Sequence, residues 1–261
     1  MKKIFLVLLL TLVAFTAFAQ GSNEAPVSDL QYVTDKGTLV VGITSFEPMD
    51  YQDESGNWIG FDADMANAFA AYLGVDAEFV EIDWDSKVLE LNAQTIDCVW
   101  NGMTLTDEVM AAMGTSNAYC NNAQVVVMKK ATADKYATIE EMKDLAFVAE
   151  AGSAGEKEVN ALGYAMTPVQ TQASALMEVA AGTADAAVID LLMAGAMIGE
   201  GTNYSDMVTT VELNSEKYGV GFRKDSELVA KLNDFFKQSY QDGSMIDIAT
   251  TYGIHLSILE Q

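Results

Sequence analysis

The stretch 95–110, TIDCVWNGMTLTDEVM, gathers residue types able to do chemistry at one place in the chain. Ile96, Cys98 and Val99 form a short apolar run of strand type. It passes through Trp100, Asn101, Gly102 and Thr104 into a helix start. An amide, a hydroxyl and an open backbone at the carboxyl end of a strand are what an α/β sheet presents to a ligand. Metal and nucleophile chemistry find less support. Cys98, Cys120 and the single His255 have no zinc-ligand spacing. No nucleophile-elbow motif accompanies His255, which reads as a surface residue near the C-terminus. No metal and no cofactor is expected. Cys98 reads as a small buried hydrophobe. A bridge to Cys120 stays open, because sequence does not set the Cα separation it needs.

The elements that must position these residues alternate. Residues 38–43, TLVVGI, read as a strand, and 44–58 as a turn region broken by Pro48 and by Asp53-Glu54-Ser55-Gly56. In GFDADMANAFAAYLG, Asp62 is the expected N-cap. Met65, Phe69, Tyr72 and Leu73 recur at helical spacing, and Gly74 stops the helix. Residues 75–82 read as strand, 85–91 as helix and 121–130 as strand. Thr138 and Glu141 form a capping box. Strands at 145–150, 165–169, 186–189, 208–213 and 218–222 alternate with helices at 173–181, 190–198 and 226–240. This alternation predicts parallel βαβ units in two α/β lobes of ordinary domain size. With no low-complexity linker between them, the lobes are expected to be joined by strands that act as a hinge.

The bulk composition narrows the partners. Lys2 and Lys3, the apolar run 4–18 and Ala17-Phe18-Ala19 before Gln20 predict a cleavable export signal over 1–19. The run is shorter than the roughly 20 residues that span a bilayer, and no cysteine follows it for lipidation. A soluble periplasmic protein is expected. Loss of the two lysines takes the formal charge from −24 to −26, which argues against nucleic acid and anionic membrane as partners.

GFDADM after a Pro-containing turn, IDWDSKVLELNAQTIDCVWNGMTLTDE and AYCNNAQVVVMKK resemble the solute-binding proteins of polar amino acid ABC importers (solute-binding protein family 3). GSAGE, GTADAAVID and YGVGFRKDSELVAKLN continue the likeness in the same order. The resemblance implies the periplasmic binding protein-like fold of type II, an α/β fold with two Rossmann-like lobes on a two-strand hinge. Residues 29–122 with 217–261 would form one lobe and 123–216 the other. It also implies a non-enzymatic role, capture of an amino acid or related amine for a membrane permease; a monomer is expected, since docking on a permease gains nothing evident from self-association.

Site residues follow from the resemblance one position at a time. Phe46 and Trp84 match aromatics on either side of the ligand, suited to an aliphatic stem or a cation. For Trp84, core packing alone is the competing reading. Asn101, Gly102 and Thr104 match the turn that receives an α-ammonium, and Asp190 matches the second-lobe carboxylate that pairs with it, though an Asp there could equally be an N-cap. Ser153 and Ala154 match the turn whose N–H groups meet the ligand carboxylate, between Gly152 and Gly155. Val109 departs from the pattern, since the family usually has an arginine there that grips the α-carboxylate. Either backbone amides carry the carboxylate, or the ligand is a cationic amine without one, which Glu47, Asp50 and Asp190 would suit. Lys87 is a further cation whose facing the sequence leaves open. Two alternatives to transport are a dehydratase-like enzyme on the same scaffold, needing a general acid of shifted pKa, and a ligand-sensing module for a receptor.

Overall fold

In the computed structural model, which describes residues 28–261, the chain forms two β-sheets with flanking helices. The export signal expected over 1–19 lies outside the described residues. Strand Thr38–Ile43 (β1) opens the first sheet. Leu39, Val41 and Ile43 are fully buried, and such β-branched runs suit parallel strands covered on both faces. Tyr51–Gln52 (β2) and Trp58–Ile59 (β3) form a small hairpin. Asp76–Glu81 (β4) and Cys98–Thr104 (β5) flank β1 in parallel. Gly114–Thr115 (β6) and Cys120–Asn122 (β7) complete this half of the chain.

The second sheet is contiguous in sequence. Gln124–Lys129 (β8), Phe147–Glu150 (β9), Met166–Val169 (β10), Ala186–Asp190 (β11) and Met207–Glu212 (β12) stack in the order β10-β9-β11-β8-β12. Glu216–Phe222 (β13) then returns to the first sheet, whose order is β4-β1-β5-β13-β6 with β7 also on β13. The chain therefore passes between the sheets twice, at Ala123 and at residues 213–215. The two passages run side by side: Glu216 pairs with Asn122, and the Leu213 N–H donates to the Gln124 carbonyl at 2.8 Å. This is the strand-built hinge expected from the missing linker.

Several local expectations need correction. The helix Phe61–Leu73 is capped at Gly60, while Asp62 sits within its first turn and points into the core. There the Asp62 carboxylate accepts the Gly102 N–H at 2.6 Å and the Tyr119 hydroxyl. A buried acceptor that fixes a strand outranks a solvent-facing cap. Three helices escaped the apolar pattern: Asp29–Lys36 with Val33 as its one buried residue, the short Lys130–Ala133, and Ser244–Thr251. Asn101 to Thr104 are not a turn but the end of β5. Cys98 and Cys120 are both buried and free, so no bridge joins them.

Asp97, at the start of β5 and fully buried, anchors this half of the fold. It accepts Lys36 Nζ at 2.6 Å and the Val40 N–H at 2.8 Å, with Arg223 Nη2 at 3.4 Å. Arg223 also reaches Asp29 at 2.7 Å, so one carboxylate and one guanidinium tie the first helix, β1, β5 and β13 together. Removing the Asp97 carboxylate leaves the part-buried Lys36 ammonium and the Val40 N–H without that acceptor. Asp97→Ala is expected to lower stability by about 3–5 kcal/mol, read as a shift of the urea midpoint without a change in slope.

Candidate ligand-binding site

A cavity of about 430 Å³ lies between the two sheets, against the carboxyl ends of β5, β9 and β11. Phe46, Trp84 and Val109 border it from the first sheet's side, together with Asn101, Gly102 and Thr104. Ser153, Ala154 and Asp190 border it from the second. Glu47 and Asp50, read from sequence as cleft carboxylates, are not among its lining residues. Asp50 is wholly buried behind it, accepting the Asn101 side-chain amide at 2.7 Å. Burial, and then the Asp62 charge, hold the Asp50 carboxyl well above the usual range.

The first-sheet wall is rigid because its polar atoms are committed elsewhere. The Asn101 side chain accepts the Thr44 N–H and hydroxyl and donates to the Thr44 carbonyl, all within 3 Å. The Thr104 hydroxyl donates to Glu216 at 2.9 Å. Gly102 has φ of +54° and lies against the Phe46 ring, where any Cβ would collide. Glycine there lets the aromatic floor sit flush on the strand. Phe46 is 2 % exposed and meets Tyr218 edge-on at 6.3 Å between ring centroids. Trp84 packs among Leu91, Ile96 and Val99 and also borders the cavity.

Lys87, whose facing was open, points into the cavity. Its ammonium donates to the Trp84 carbonyl at 2.9 Å and, across the cleft, to the Gly152 carbonyl at 3.0 Å. It lies 4.7 Å from the Trp84 ring centroid. Burial lowers its pKa to about 8, against the opposing pull of Glu150, Asp85, Glu108 and Glu156. Other contacts also join the two sides: Gln170 to Asp83 at 2.9 Å and Lys157 to Glu108 at 3.2 Å. A Cβ at Gly152 would come 2.6 Å from Asp85 Cα. The close approach that this glycine permits is thus between the two lobes.

On the second side Asp190 occupies the N-cap position of helix Leu191–Met197, but its carboxylate makes no cap bond. It turns inward and accepts the side-chain amides of Asn122, Gln124 and Gln172 and the Tyr218 hydroxyl. Asn122 and Gln124 also donate to Glu216, at 2.7 and 2.8 Å. Burial and the Glu216 charge push the Asp190 carboxyl upward, while Tyr218 and Gln172 oppose the shift. The Ser153 hydroxyl caps Glu156 N–H, and the Ser153 N–H is occupied by the Glu150 carbonyl at 3.2 Å.

Glu150 was missed from the sequence. It ends β9, is 2 % exposed and borders the cavity, and its Oε1 has no hydrogen-bond partner. Burial, then the Asp190 charge, raise it to about 8, while Lys87, Thr44 and Gln172 pull the other way. The rule that singled out the end of β5 applies equally to the end of β9, and would have found it.

The sequence matches the family "Bacterial extracellular solute-binding proteins, family 3" over residues 39–255. It is 26 % identical to the L-cystine-binding protein TcyJ of Escherichia coli (strain K12), covering 89 % of each chain. Identity is also 26 % to the arginine-binding extracellular protein ArtP of Bacillus subtilis (strain 168), over 94 % of this chain and 95 % of that one. Among solved structures, the ancestral amino acid-binding protein AncCDT-1, a precursor of cyclohexadienyl dehydratase, superposes with a TM-score of 0.79. That match is 29 % identical and covers 86 % of this chain and 99 % of the other.

Two outcomes follow from this geometry. Gly152→Ala forces a side chain into a left-handed position, at a cost of about 1–3 kcal/mol, and against Asp85. It is expected to hold the lobes apart, seen as a larger radius of gyration by small-angle scattering. Glu150 keeps its proton in the folded state until about pH 8, whereas the unfolded chain releases it near the ordinary value of 4.5. Rising pH therefore favours unfolding across that window and not above it. Glu150→Gln is expected to flatten the fall in stability between pH 5 and pH 8, measured by urea denaturation at each pH.

Proposed function

Since the chain belongs to the bacterial extracellular solute-binding proteins of family 3, we propose that it captures an amino acid or related amine between its lobes for an ABC importer. The two lobes are taken as 29–122 with 217–261 and as 123–216. The observation that carries this reading is the cavity itself. Its volume of about 430 Å³ suits one small solute. Its walls come from both lobes, so a bound molecule would hold both at once and favour the closed arrangement. TcyJ and ArtP are named for binding cystine and arginine, and both ligands carry α-ammonium and α-carboxylate groups.

The recognition chemistry has a direction. Phe46 and Trp84 flank the solute. Asp190, held rigidly by four donors, faces the solute's ammonium together with Glu150, whose free Oε1 is the acceptor that a buried N–H of the ligand would satisfy. The −26 charge left after export would draw cationic solutes toward the cleft. Delivery to a permease, with the protein acting as a monomer exported through the signal at 1–19, completes the role.

One observation favours a second reading. A dehydratase needs a carboxyl that stays protonated near neutral pH, and Glu150 is such a group. AncCDT-1 is described as a precursor of cyclohexadienyl dehydratase. Passive capture is nevertheless the function proposed, because Asp190 and Glu150 are read as the acceptors of the solute's ammonium and the curated relatives TcyJ and ArtP are named as binding proteins.

Calorimetry against amino acids and their amine counterparts tests the proposal. At least one ligand is expected to bind with 1:1 stoichiometry and to raise the melting temperature. Phe46→Ala and Asp190→Ala are each expected to weaken it by at least tenfold, about 1.4 kcal/mol. Unchanged affinity in Asp190→Ala would displace the site. Turnover of a cyclohexadienyl substrate by wild type, lost in Glu150→Gln, would replace capture with catalysis.

A further inference from the structure

We propose that Lys87 receives the carboxylate of the captured solute, in place of the cation absent at Val109, and thereby makes the site select amino acids over the corresponding amines. This rests on the capture reading above and names what the cavity recognises.

Lys87 is 8 % exposed and borders the cavity. An ammonium has three N–H bonds and no acceptor. Two are occupied by the carbonyls of Trp84 and Gly152, which leaves one. None of the ion pairs among the described residues includes Lys87. Its hydrogen-bond partners are neutral carbonyls, and the carboxyls that pull on it, Glu150 first, lie beyond ion-pair distance, so its desolvation cost falls further when an anion joins it directly. The other lysine on the cavity wall, Lys157, has a half-exposed side chain and is paired with Glu108. Lys87 is therefore the buried, unpaired cation of the cavity.

Its position matters as much as its charge. The Gly152 carbonyl that Lys87 grips lies two residues before Ala154, where the helix Ala154–Leu162 begins. The N–H groups of Gly152, Ser153 and Glu156 are occupied by the Glu156 carboxylate, the Glu150 carbonyl and the Ser153 hydroxyl. Those of Ala154 and Gly155, in the first turn, have no intrahelical partner. The Glu156 carboxylate already offsets part of the helix's positive end, so the helix alone is a weak carboxylate site. Lys87 beside it supplies a full charge. Because its ammonium is fixed by one carbonyl from each lobe, it is in place only when the lobes meet. Glu150 and Asp190 are left to take the ammonium end, and the cavity is set for a zwitterion.

The test compares every amino acid with its decarboxylated amine by calorimetry, among them arginine with agmatine, histidine with histamine, lysine with cadaverine and cystine with cystamine. Wild type is expected to prefer the amino acid of its best pair. Lys87→Met is expected to weaken that amino acid by about 10- to 100-fold, the scale of one charge-assisted bond, and to leave the amine within about threefold. Adding Val109→Arg to Lys87→Met is expected to restore the preference, and Lys87→Arg to keep it. If Lys87→Met does not fold, Lys87→Gln serves in the same comparison. A Lys87→Met protein that keeps the wild-type ratio, or loses both ligands equally, overturns the inference, since a residue that only holds the lobes together would behave so. A wild type that prefers the amine overturns it too, with capture intact. A wild type that binds no member of any pair overturns capture and this inference together.

Discussion

Everything in this molecule passes through a pair of buried carboxylates at the place where the chain changes sheets. Asp190 ends a strand of the second sheet and Glu216 begins the returning strand of the first. Alone, two such groups out of water would repel and unravel the crossing. Asn122 and Gln124, on either side of the outgoing passage, each donate to both carboxylates. Asn214, on the return passage, donates to Glu216 at 3.1 Å. Amide donors outnumber the charges they serve, which is the condition under which a buried polar network stabilises one arrangement. The hinge and one wall of the cavity are thus the same set of hydrogen bonds.

That sharing explains how charge is distributed around the cavity. The deep wall is acidic, with Asp190 and Glu150 both held above their ordinary pKa by burial. The rim facing the start of helix Ala154–Leu162 carries the buried ammonium of Lys87. Phe46 and Trp84 border the same cavity, with the Lys87 ammonium 4.7 Å from the Trp84 ring centroid. A cavity whose walls carry both carboxyl acceptors and an ammonium donor discriminates by orientation, since a ligand whose own ammonium faced Lys87 would bring like charges together.

Much of the architecture could be read in the sequence, because strands buried on both faces leave continuous apolar runs such as TLVVGI and QVVVMK, the first in parallel pairing and the second in antiparallel. The helix Asp29–Lys36 could not, since a helix with one buried residue leaves no periodic trace. Asp62 misled for a different reason. Its place near a helix start was visible, but its partners Gly102 and Tyr119 lie far along the chain. At the site, spacing and resemblance led to the strand ends, and those positions border the cavity. What they did not disclose was which side chains were already occupied. Asn101 and Thr104 look free in sequence and are hydrogen-bonded within the protein. Glu150 sits at a strand end that the same rule covers, but its unoccupied capacity, like that of Lys87, shows only once the opposite lobe is in place.

The order of strands also governs how the chain assembles. β5, in the middle of the first sheet, finds its neighbour β13 only by pairing Cys98 with Phe222 across the whole of the second sheet's sequence. Contacts of such high sequence separation are entropically costly to close and slow to form. The second sheet, contiguous in sequence, has no such obstacle. Once it forms, the Leu213 to Gln124 bond brings its two ends together, and the loop that β13 must close shrinks to a few residues. The lobe in the middle of the chain is thereby the template for the lobe that surrounds it, and a substitution that slows the first to fold delays both.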